Sequence, residues 1–142
     1  MVGTKWSAAP WGVGLLLLTV MTSAAAPAAA RSQTPHRVAE RVTLTNADNG
    51  RTVSARTGDD IEVTLTGHRD HGLNYTWSIP VSDSTVFHRT KGGTTPRGAA
   101  TARLHAEKAG TATLSAQRHC RPDPGKLCPL VVTPWKVRVE VK

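Results

Sequence analysis

Apolar and polar positions alternate with a period of two along most of this chain. No segment beyond residue 30 sustains the 3.6-residue period of a helix. Val42 and Leu44 begin the series, and Val53 and Ala55 follow. Ile61, Val63 and Leu65 make a clean half-buried strand, with Glu62 and Thr64 turned to water. Tyr75, Trp77 and Ile79 alternate up to Pro80, which cannot donate to a ladder. Val86 and Phe87 mark a short strand. Ala102, Leu104 and Ala106 then alternate, as do Ala112, Leu114 and Ala116, and Trp135, Val137, Val139 and Val141 form the longest run. Asn49-Gly50, Gly58-Asp59 and residues 107–110 punctuate the runs with turn chemistry. The glycine-rich stretch 90–98 (TKGGTTPRG) reads as a loop. Seven to eight short antiparallel strands, spaced by about ten residues, predict an all-β fold, an immunoglobulin-like β-sandwich over residues 41–142. Trp77 is expected as the plug between the sheets, with Tyr75 and Trp135 also in the core.

The first thirty residues read differently. Lys5 gives a positive start, 13–21 (VGLLLLTVM) is apolar, and small residues continue to Ala30. This is the order of a secretory signal peptide. The apolar run is about half of the ~20 residues a membrane span needs, so no transmembrane segment is expected after processing. Cleavage is expected near Ala30, leaving a flexible mature N-terminus over 31–40, and the localisation expected is extracellular.

Removing 1–30 takes away one charge, Lys5. The full chain has 18 Lys and Arg against 10 Asp and Glu, so the mature balance is 17 against 10, or +7. Such a charge suits polyanionic partners such as cell-wall components. It is equally the mark of a solvated basic surface, for no run of five like charges occurs. No nucleic-acid motif is present, and Tyr75, Trp77, Phe87 and Trp135 are the only aromatics beyond residue 30 available for stacking. Nucleic acid is not an expected partner.

Cys120 and Cys128 flank a Pro- and Gly-bearing interval, RPDPGKL. In an exported chain such a pair reads as one disulfide. The rival assignment is a metal site using His119, or His68 with His71. It lacks the second well-spaced ligand pair that structural zinc requires, so no metal and no cofactor are expected. His68 and His71 flank Asp70 without a nearby nucleophile, which fits a solvated turn. No serine lies in a Gly-x-Ser-x-Gly elbow, and no glycine loop leads into a helix to cradle phosphate. Asn74-Tyr75-Thr76 is formally a glycosylation sequon. Nothing here points to an enzyme.

The order of pieces resembles the chagasin family of cysteine-peptidase inhibitors. The turn Gly58-Asp59 leads into IEVTL, then a polar loop and Tyr75-x-Trp77. A loop with Gly92, Gly93 and Gly98 comes next, followed by the turn AGTATLSA and a valine-alternating final strand. The resemblance implies a secreted sandwich whose three loops at one end wedge into a peptidase cleft without chemistry. By position those loops are Asp70-His71-Gly72-Leu73-Asn74, residues 90–98 with Gly92 and Gly93, and residues 120–128 with Arg121 and Pro122. The loop tips depart from the family pattern. Where it has Asn-Pro-Thr-Thr-Gly before Tyr-x-Trp, this chain has DHGLN, and Asn74 is expected to take the glycine's positive φ. Where it has Arg-Pro-Trp, Arg121-Pro122 is followed by Asp123.

Two functions follow as expectations. The first is non-covalent inhibition of a papain-like cysteine peptidase. The alternative is a non-inhibitory immunoglobulin-like binding or structural module at the cell envelope.

Overall fold

The structure is a computed structural model that describes residues 34–142 together with positions 3, 7, 8, 10–12, 14 and 26. Apart from those few positions, the expected signal peptide lies outside the described residues. Among the described residues no helix is long and apolar enough to cross a membrane. The chain divides into the units Met1–Pro35 and His36–Lys142, and the second holds every strand.

Ten strands follow one another: β1 (Arg41–Thr45), β2 (Thr52–Ala55), β3 (Asp60–Leu65), β4 (His68–Asp70), β5 (Leu73–Trp77), β6 (Val81–Ser82), β7 (Phe87–Thr94), β8 (Ala100–Ala106), β9 (Gly110–Pro122) and β10 (Thr133–Val141). They form two sheets, ordered β1-β3-β8-β7 and β2-β10-β9-β5-β4, with β6 also on β9. Two pairings depart from the antiparallel expectation, since β1 runs parallel to β3 and β2 parallel to β10. The cause lies at Asn49-Gly50. Instead of closing a hairpin, this turn docks on β10: the Gly50 N–H donates to the Lys136 carbonyl at 2.7 Å, and Asn49 Oδ1 accepts from the Lys136 N–H at 2.8 Å. The chain therefore changes sheets between β1 and β2.

The period-two residues face each other across the sandwich. Ile61, Val63, Leu65, Leu104, Leu114, Val137 and Val139 are each at most 1% exposed. Small residues sit beside large ones on neighbouring strands, Ala102 by Val63 and Ala116 by Trp135. Each tryptophan also ties the second sheet to the first through its indole N–H. Trp77 Nε1 donates to the Thr66 carbonyl just past β3 at 3.1 Å, and Trp135 Nε1 donates to the Thr45 carbonyl of β1 at 3.0 Å.

Three local expectations are corrected. Tyr75 is half-buried rather than core. Trp77 already reaches the carbonyl that follows β3, so one pleat further along Tyr75 has no opposing strand. It is covered instead by the stacked ring of His68 at 4.5 Å and by the Arg118 guanidinium at 4.8 Å. The strand begun by Phe87 is long, running to Thr94 through the stretch expected as a loop. Pairing with β8 holds it extended despite its glycines, with a bulge between Arg89 and Lys91. Cys120, Arg121 and Pro122 lie within β9, which outlasts its apolar alternation because β5 pairs with its far end.

The opposite end of the sandwich from Tyr75 is organised by a buried carboxylate. Asp59, 1% exposed, accepts from the Arg56 N–H at 2.8 Å, from the Glu40 N–H at 3.0 Å and from the Arg37 guanidinium at 3.3 Å. Arg37 and Glu40, in the stretch 31–40 whose first three residues lie outside the described ones, are held to this carboxylate. Burial pushes the Asp59 pKa up, but the Glu40 and Arg56 N–H donors and the Arg37 charge outweigh it and hold the carboxyl below its ordinary range.

Candidate loop-end binding site

The first expected loop is a two-residue hairpin between β4 and β5. Its turn is His71-Gly72, with φ of 48° and 81°, the double positive-φ geometry that matches strand twist. This corrects the assignment of the positive φ to Asn74. Asn74 lies in β5, paired with Arg69 on one side and Arg121 on the other. Leu73, half-buried, pairs with Asp70 and Pro122. The left-handed positions fall three and two residues earlier because strand pairing reaches back to Leu73.

The second loop is shorter than expected and confined to residues 95–99. Thr95 closes it, its N–H donating to the Ala99 carbonyl at 2.9 Å and its hydroxyl accepting from the Ala99 N–H at 3.1 Å. Gly98, at φ 85°, lies so close to β5 that a Cβ would meet the Tyr75 carbonyl at 2.8 Å. Its own carbonyl accepts from the Trp77 N–H at 3.0 Å, which hooks the loop onto the open edge of β5. Gly92 and Gly93 do not belong to this tip. They sit in β7 opposite Ala102 and Thr101, so their candidacy as loop contacts is withdrawn.

The third loop leaves β9 and returns to β10. Cys120 and Cys128 form the expected disulfide, with Cα atoms 5.9 Å apart. Asp123, in the place of the family's tryptophan, joins this loop to the first. Its N–H donates to the Gly72 carbonyl at 2.8 Å, and its carboxylate accepts from Asn74 Nδ2 at 3.1 Å and from Arg69. Asp123 is thus an internal tie between the two loops.

Two features of this end were not singled out in the sequence. Leu127 and Leu130 are 91% and 102% exposed, and Val131 and Val132 beside them are also exposed. The signal was the unalternating run Cys128-Pro129-Leu130-Val131-Val132, which fits neither a turn nor a half-buried strand. The second feature is a cleft of about 560 Å³ between the hairpin, the second loop and β9, lined by His68, Arg69, Asn74, Thr76, Arg97 and Arg121. Arg97 carried no signal, because only the folded chain brings residue 97 beside residue 121.

The histidines do not converge on shared chemistry. His71 pairs with Asp70, His68 stacks on Tyr75, and His119 is exposed. Among the described residues no three His, Cys, Asp or Glu side chains converge as a metal site.

No protein-family profile matches the chain, and no curated protein matches it by sequence. Solved structures do. A cysteine protease inhibitor of Entamoeba histolytica matches over 75% of this chain and 99% of its own, at 18% identity and a TM-score of 0.54. The inclusion body protein PixA of Burkholderia cenocepacia matches over 75% and 98%, at 12% identity and a TM-score of 0.51. These likenesses are of fold, and one sandwich serves proteins with different labels. The chain has the β-sandwich fold of these two proteins.

Proposed function

We propose that this chain is exported and acts as a non-covalent inhibitor of a papain-like cysteine peptidase, docking through its three-loop end. The observation that carries the reading is the combination of a braced loop end with apolar tips. A disulfide closes the third loop and the Asp123 ties join that loop to the first, while Leu127 and Leu130 project bare. Preordered loops reduce the entropy lost on docking. Each leucine, once covered, contributes about 1.5–3 kcal/mol. The leader-like residues 1–30 and the disulfide fit an oxidising, extracellular destination. The inhibitor fold of the Entamoeba protein supports the same reading.

The second reading is an envelope-associated binding module, favoured by the basic balance and by the arginine-lined cleft. Titrating papain and a panel of secreted cysteine peptidases with the purified protein separates the two. Inhibition should be reversible, and Leu127→Ser with Leu130→Ser should weaken it about tenfold or more. Absence of inhibition across the panel would leave the envelope reading.

A further inference from the structure

The cleft beside the loops has a chemistry of its own. Three arginines line it, Arg69, Arg97 and Arg121, and no carboxylate does. Arg69 is partly neutralised by Asp123 from outside the wall. Three guanidinia less that one carboxylate leave a formal +2. Of the described arginines elsewhere, Arg37, Arg41, Arg51, Arg103 and Arg138 each face an acidic side chain, whereas Arg56, Arg89 and Arg118 do not. Among the described residues neither Arg97 nor Arg121 has one.

Both of these cleft arginines sit on restrained backbone. Arg121 lies in β9, paired to Asn74, whose Nδ2 donates to the Arg121 carbonyl at 3.3 Å. Arg97 precedes Gly98, whose carbonyl is held by the Trp77 N–H at 3.0 Å. Guanidinium forks suit oxyanions, which accept paired N–H donors in one plane. An isolated phosphate, a few times the ~30 Å³ share of a water molecule, would leave most of a 560 Å³ cleft empty.

We infer that this cleft binds a phosphate-bearing polyanion, with consecutive phosphates of one strand meeting Arg97 and Arg121. The phosphates share the cleft's +2, and Asn74 and Thr76 add polar wall beneath them. The cleft lies at the same loop end that is proposed to dock on a peptidase, but its argument rests on its arginines and not on that reading.

Binding of the purified protein to polyphosphate, inorganic phosphate and polyglutamate at 0.15 M salt tests the inference, and calorimetry reads it. That ionic strength suppresses long-range attraction while leaving close contacts. Polyphosphate should bind tightest per charge. Arg97→Gln and Arg121→Gln should each weaken it about tenfold. Arg56→Gln and Arg89→Gln remove the same charge from arginines that have no acidic partner and lie outside the cleft, and should change affinity by about twofold or less. Unchanged melting temperatures in all four variants would show that the fold is intact. Equal losses in all four variants would overturn the inference in favour of diffuse charge. Polyglutamate binding as tightly per charge would overturn the phosphate assignment. Inorganic phosphate binding as tightly as polyphosphate would overturn the polymer, and no binding of any probe would overturn the site.

Discussion

The Arg69 guanidinium donates to the Asp123 carboxylate, joining the β4–β5 hairpin to the disulfide loop across 54 residues of chain. Alone, so exposed a pair contributes little. Here the same carboxylate also takes Asn74 Nδ2, and the Asp123 N–H closes onto Gly72. Removing the carboxylate therefore takes away two of the three Asp123 ties between the loops and leaves the backbone bond to Gly72. Asp123→Ala should cost about 1–2 kcal/mol by chemical denaturation. It should also raise hydrogen exchange at position 123 and its loop neighbours more than in the sheets.

The disulfide spans a short loop, and on the chain-entropy model its loss costs about 2.5 kcal/mol. Cys120→Ser with Cys128→Ser should lower the denaturation midpoint accordingly and leave the far-ultraviolet circular dichroism unchanged, because the core lies elsewhere. Thiol titration of the denatured, unreduced protein should find no free cysteine. Two free thiols would contradict the assignment.

The hairpin turn offers a test of backbone geometry. Gly72 at φ 81° tolerates no Cβ without strain, and an added one would stand 3.1 Å from the Lys126 side chain. Gly72→Ala should cost about 1 kcal/mol or more. His71→Asn places the residue best suited to the left-handed region at φ 48°. It should raise stability by a few tenths of a kcal/mol, roughly the scale of turn preferences. A destabilised His71→Asn variant would mean that the turn has another geometry.

Asp59 makes stability depend on pH. Its carboxyl titrates below the ordinary value when folded, so its contribution is complete above the unfolded pKa of about 3.9 and is lost as pH falls through the folded value. Asp59→Asn puts an amide among N–H donors and a guanidinium. It should cost about 2–3 kcal/mol at pH 7. The gap between the two proteins should narrow below about pH 4. A gap that stays constant to pH 2 would exclude the ionised carboxylate as its source.

Trp77 fills the space between the sheets at 7% exposure. Trp77→Ala should cost about 3–5 kcal/mol in the denaturation midpoint. Trp77→Phe keeps most of the volume and isolates the Nε1 bond to Thr66, worth about 1 kcal/mol. An unchanged midpoint for the alanine variant would place the indole in solvent.

Which face each strand buries was legible from residue types alone. Ile61, Val63 and Leu65, Ala102 and Leu104, and Val137 and Val139 all point inward as their alternation demands. Period-two patterning is a local property, since successive side chains must take opposite faces whatever the neighbours are. The Cys120–Cys128 pairing was legible for a similar reason, as eight residues of chain keep the two sulfurs within reach.

The illegible parts all depend on where distant strands lie. Gly92 and Gly93 look like a loop until β8 pairs with them, and Tyr75 looks like core until the opposing sheet ends one pleat too soon. Asn74 loses the left-handed position to His71 and Gly72 because pairing with Arg69 and Arg121 extends the strand past it.

Alternation and turn chemistry determined an all-β sandwich and its core residues apart from Tyr75, and the spacing of the two cysteines determined their disulfide. Tertiary structure alone decided that β1 and β2 run parallel to their neighbours, that Asp59 gathers three donors, and that Arg97 meets Arg121 across one cleft. The physical reason is range. Local steric and hydrophobic preferences choose each residue's face, whereas strand neighbours and polar clusters come from long-range pairing that no short window of sequence contains.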